Sequence, residues 1–250
     1  MTTMFSKFVD SCGRARRIVF ALTGCALALT TMQAFEAQAD ETVGLKAELI
    51  ASSPIFEFIA NNFEADLDLM VADLATSIAA GVDPRLAGQE AMLSFRGRHA
   101  ADIGAANDEA QRALLEGMIH FHEVVLAEEG PKVCALFASY GYPGFHGTPL
   151  AEKYEDMQME YALQTLSTTK AGVEQPVRRD AVSDADNTAV GEAMVALGAT
   201  EAQLDAIANQ TTKDAALCDG MLTLMRAMNT DGDTAGARLR AEFLAAVAAV

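Results

Sequence analysis

Glu116, His120 and Glu123 stand four and three residues apart, a spacing that puts carboxylate, imidazole and carboxylate on one helical face. That set is one way for a helix to offer ligands to a divalent metal ion, the alternative being a solvated acidic face. A di-iron bundle needs a matching Glu-x-x-His pair on a second helix, and the sequence offers none. The segment Tyr140 to Pro149 is a different kind of candidate. It gathers Tyr140, Tyr142, Phe145 and His146 among glycines and prolines, in a chain with only four Tyr and four His. Rings fixed on a tight turn make contact residues for a ligand or partner protein, or else they cover the edge of a core. Gly141, Gly144 and Gly147 do not read as a phosphate cradle, because a helix precedes them and no suitably placed Lys follows.

Arg96, Arg98 and His99 form a basic patch that fits either an anion or the chain's own surplus of carboxylates. Asn229, Asp231 and Asp233 resemble the opening of a calcium loop, but Thr234 and Arg240 fall where that loop needs Gly and Glu. There is no G-x-S-x-G and no H-E-x-x-H, so no catalytic motif is legible. The reading is therefore a binding or interaction protein with no cofactor. The alternative is a small metal-binding or metal-dependent helical enzyme using Glu116, His120 and Glu123 with one divalent metal ion.

The most explicit segment is the first 39 residues. Lys7, Arg14, Arg16 and Arg17 precede the apolar run Ile18 to Leu29, and Ala37-Gln38-Ala39 places small residues where a signal peptidase reads. This predicts a cleaved signal peptide over 1–39, cut between Ala39 and Asp40, and a periplasmic or secreted chain. The apolar run is too short to span a bilayer, which takes about 20 residues. Leu22-Thr23-Gly24-Cys25 has the residue types of a lipoprotein box, the alternative being a tether through Cys25, and Arg16-Arg17 admits a twin-arginine signal.

Export leaves Cys134 and Cys218 as the two cysteines of the mature chain, and an oxidising compartment predicts a disulfide between them. Removing 1–39 takes away four basic and two acidic residues and moves the net charge from -17 to -19. Such acidity repels phosphate backbones and anionic lipid headgroups, so neither nucleic acid nor a membrane surface is the expected partner.

These side chains must be positioned by helices. Ala, Leu, Met, Glu and Gln dominate, and no stretch alternates in the manner of a strand. Residues 40–250 are expected to form an all-α bundle of seven to nine helices, with the runs 53–81, 83–103, 107–130, 131–140, 148–170, 183–197, 200–209, 212–228 and 234–249. Gly172 to Val182, with Pro176 and Arg178-Arg179, is the linker candidate, so any subdivision is expected near 171–182. Ser183 with Asp186, and Thr200 with Gln203, have capping-box spacing. Ala113–Ile119 and Ala216–Leu222 agree in type at most positions, and Glu90-Ala91-Met92 and Glu192-Ala193-Met194 stand at similar distances upstream. A weak internal duplication of a helical unit would explain this, with Gly117 and Gly220 letting helices approach closely in each half; the alternative is a chance match in an Ala-rich chain.

Overall fold

The computed structural model describes residues 43–209, 214–230 and 234–249, and every regular element among them is helical. The segment 1–39, with Cys25, the Ala39/Asp40 junction, Asp231 and Asp233, lies outside the described residues. The described chain forms two compact units, divided between Arg98 and His99.

The first unit holds a helical stretch at 43–52 followed by α1 (Pro54–Asn62), α2 (Glu64–Ala79) and α3 (Pro84–Arg98). Ser53 caps α1 by accepting from the Ile55 amide, and Pro54 occupies the first turn, where a missing N–H costs nothing. One continuous helix is expected over 53–81, but Phe63 leaves helical geometry at φ -142° and ψ 51° and divides it. The gain is packing: the Phe63 ring meets Phe95 of α3 edge-on, centroids 5.5 Å apart. Ile59, Phe63, Leu67, Met70, Val71 and Leu74 are buried together with Ala87, Ala91 and Phe95. Gly81, at φ 83°, takes the left-handed conformation that ends the α2 run, and Asp83 caps α3 through the Leu86 amide.

The second unit holds α4 (Ala100–Ala105), α5 (Asp108–Glu129), α6 (Pro131–Tyr140), a short 3-10 turn (Tyr142–Phe145), α7 (Pro149–Lys153), α8 (Glu155–Glu174), α9 (Asp184–Ala196), α10 (Glu201–Asn209), α11 (Ala216–Thr230) and α12 (Thr234–Ala248). Its axis is α11, which packs against α5, α6, α9, α10 and α12. Leu217, Cys218, Met221, Leu222, Leu224, Met225, Ala227 and Met228 are all buried, leaving only Asp219 and Arg226 of this stretch well exposed. A helix apolar on nearly every side belongs at the centre of a bundle.

The described helices number twelve besides 43–52, rather than seven to nine. The excess has one cause: three of the nine expected runs break, at Phe63, at His99 and at Tyr154. Both expected capping boxes form, Ser183 with Asp186 and Thr200 with Gln203.

Small residues set the closest crossing. A Cβ on Gly172 of α8 would fall 1.8 Å from the Asp102 carbonyl oxygen of α4, so those two backbones touch and only glycine fits. Gly117 faces the flexible end of Gln164 on α8, whereas Gly220 faces the Gln203 carbonyl and Ile207 on α10. The two similar heptapeptides thus meet neighbours of different kinds, a side-chain end at Gly117 and a helix backbone at Gly220.

The segment 175–183 is tied to its own unit. Val177 donates its amide to the Ala105 carbonyl at 2.7 Å, and Arg179 donates to the carbonyls of Gly104 and Ala106 and to Asp108 Oδ1. Gln111 Nε2 donates to the carbonyls of Ile103 and Gly104, so the carbonyls of Ile103, Gly104, Ala105 and Ala106 at the end of α4 find donors. Arg240, fully buried on α12, donates to Met228 O and shares the Asp108 carboxylate. Partial burial pulls the Asp108 carboxyl upward, but the hydrogen bonds and charges of Arg179 and Arg240 outweigh it and hold the group below its ordinary range. This knot joins α4, α5, α12 and the 175–183 segment within one compact unit.

Candidate functional site

The corner between α6 and α7 starts from chain geometry. Gly141 at φ 61° closes α6, the 3-10 turn follows, and Gly147 at φ 76° leads to Thr148, which caps α7 through the Leu150 amide. Thr148 also donates its hydroxyl to the Phe145 carbonyl at 2.7 Å, fastening the turn to the helix it precedes.

The four rings of this corner divide. Phe145 is not a contact residue, since its exposure is 0%. It stacks on Phe137 at 5.3 Å and lies 5.8 Å from Tyr154, within an aromatic cluster that Phe121 completes. The 3-10 turn folds it inward because it is the one purely apolar ring of the loop. Tyr142 is half-buried, donates its hydroxyl to the Ala151 carbonyl at 2.6 Å and meets His146 edge-on at 5.5 Å. Burial, with the charge of Glu155, raises its phenol above the ordinary value. Tyr140 is 56% exposed, and Leu136, one turn earlier on α6, is 37% exposed on the same face. Gly144 packs beneath them, where an added Cβ would come within 3.1 Å of the Tyr140 Cβ. The presented surface is therefore Tyr140 and Leu136, with the edges of Tyr142 and His146.

Under this corner lies a polar group absent from the sequence reading. The Tyr154 hydroxyl donates to Glu128 and Glu129, and Lys153 pairs with both carboxylates. Burial and the hydrogen bond to Glu129 push the Tyr154 phenol up to about 12, and the two glutamates raise the Lys153 ammonium, so both keep their protons at neutral pH. The sequence hid this set because Lys153-Tyr154 reads as mid-helix, whereas the break at Tyr154 turns the ring inward and its hydroxyl toward the end of α5.

The structure does not assemble Glu116, His120 and Glu123 into a ligand set. Glu116 and His120 are exposed on α5, with Asn229 Nδ2 donating to Glu116 at 3.4 Å, and Glu123 is ion-paired with Arg226 of α11. A guanidinium at Glu123 opposes a second cation there. Among the described residues no group of three or more His, Cys, Asp or Glu side chains is placed to hold a metal ion. The histidine that enters the core is His122, whose Nδ1–H donates to the Met118 carbonyl at 2.8 Å beside Phe137. Burial lowers its pKa to about 4, so the ring is neutral at pH 7.

The basic patch is internally paired. Arg98 donates to Asp66 and Ser94, His99 Nδ1 stands 2.7 Å from Asp102, and Arg96 is likewise engaged. In the calcium-like segment, the Asn229 carbonyl accepts from Arg112, while Arg240 is committed to Asp108. Cys134 of α6 and Cys218 of α11 are both buried, with Cα atoms 5.4 Å apart and sulfurs at bonding distance. No described helix is long and apolar enough to cross a membrane. Compared with family models, curated proteins and solved structures, the chain matches none.

Proposed function

We propose that the chain is an exported, disulfide-stapled helical protein that works by binding, and that it contacts a protein or small ligand through the corner between α6 and α7. The observation that carries this reading is Tyr140, a large ring 56% exposed with Leu136 beside it, on a corner fastened from below by buried Phe145. A rigid exposed tyrosine gives much contact area for little lost side-chain entropy. Cys134 lies on the same helix, so a bond to Cys218 would fix that helix to the bundle axis. The layout of residues 1–39 supports export, and a mature N-terminus at Asp40 is expected; a lipidated N-terminus at Cys25 would replace it with a membrane-tethered form.

The test is capture from the exported fraction of the producing cells with the mature protein as bait. Tyr140→Ala combined with Leu136→Ser should lose a partner that wild type retains, with unchanged helical content. Equal capture by both proteins refutes the corner as the contact surface. Metal analysis of the same purified protein separates the alternative, since a stoichiometric transition metal lost on His120→Ala would put the function on α5 instead.

A further inference from the structure

Arg178 and Arg179 are the only Lys or Arg residues among the described residues that lie outside a helix. They sit in the longest described connection, 175–183, where residues 175–181 are exposed except for Arg179. Endoproteases bind their substrates extended, so basic residues within helices are shielded and those in an open connection are not. Pro176 adds to this by disfavouring helical geometry at Gln175.

We propose that this strap is a processing site for an arginine-specific endoprotease, cut between Arg178 and Arg179 into a two-chain product that Cys134–Cys218 keeps joined. The choice of bond follows from the two guanidinium groups. Arg179 is held by the Gly104 and Ala106 carbonyls and by Asp108, with an ion-pair distance of 2.8 Å, so it cannot enter a specificity pocket. Arg178 is exposed and available. Hydrolysis adds water across the peptide bond, leaving a carboxylate on Arg178 and an amine on Arg179. Cys134 lies before the cut and Cys218 after it, so the pieces stay covalently linked. The Arg179 clamp and the Val177–Ala105 hydrogen bond also hold the strap against α4, so cutting waits on its release.

Limited digestion of the mature protein with trypsin, followed by mass spectrometry and paired non-reducing and reducing gels, tests this. The first cut is expected after Arg178, giving one band without reductant and two with it. Arg178→Gln should remove that cut. Arg179→Gln keeps Arg178 but frees the strap, and should speed cutting roughly fivefold, the change in open population expected from losing an ion pair of modest worth. A first cut at any other basic residue, Lys213 included, overturns the proposal, as does cutting of Arg178→Gln at the wild-type rate. Pieces that separate without reductant overturn the joined product.

Discussion

Acidification should destabilise the second unit through His122, and the size of the effect follows from its burial. The ring has a pKa of about 4 in the folded protein, set by desolvation against a weaker opposing hydrogen bond that it donates to the Met118 carbonyl, and about 6.5 once unfolded. Between those values the unfolded chain binds the extra proton, so stability falls as pH is lowered through this window and is unaffected above it. The full difference corresponds to about 3 kcal/mol, of which roughly 2 kcal/mol is already lost at pH 5. The assay is urea unfolding at a series of pH values from 8 to 4, for wild type and His122→Leu. The variant should be shifted by a constant amount above pH 7 and lack the wild-type loss between pH 6.5 and 5. Asp186, held low by Arg238 and Ser183, adds a loss of the same sign only at more acidic pH, and it does so in both proteins. Parallel profiles for the two proteins between pH 7 and 5 would refute a buried neutral His122.

Gly172→Ala should destabilise by about 2–4 kcal/mol in urea unfolding, since its Cβ would meet backbone, while Gly117→Ala should cost less because Gln164 can move aside. Phe145→Ala should lose about 3–5 kcal/mol and Tyr140→Ala less than about 0.5 kcal/mol, a contrast that calorimetry checks and that separates core from presented surface. Titration of the denatured, non-reduced mature protein should find no free thiols, and Cys134→Ser with Cys218→Ser should cost about 4–5 kcal/mol, the chain-entropy value for a separation of 84 residues.

Helix type was legible because the chain is rich in good helix formers and punctuated by Gly, Pro and capping residues. Asn107, Ser183 and Thr200 start helices where their side chains predict. The breaks at Phe63, His99 and Tyr154 were hidden, because none of these residues is a helix breaker; tertiary packing decides there, as the Phe63–Phe95 and Phe121–Tyr154 contacts show. At the candidate site, the concentration of rings in 140–149 was visible but their division was not, since one turn of 3-10 geometry determines which ring faces inward. The same limit applies on α5: spacing put Glu116, His120 and Glu123 together, but only the tertiary structure brings Arg226 to Glu123 and His122 into the core. The Asp108 knot was beyond sequence reasoning, because its members lie as far apart as residues 108 and 240.

The position of α11 at the centre of the second unit bears on synthesis. The chain emerges from the ribosome N-terminus first, so α5, α6, α9 and α10 exist before the helix they pack against. Until residue 230 is made, the inward faces carrying Leu114, Phe121 and Cys134 have no axis to close on. Loop closure over so many residues is slow, which leaves those faces uncovered during elongation. A chain ended near residue 215 would keep most of its helices and still lack the core that makes them a bundle.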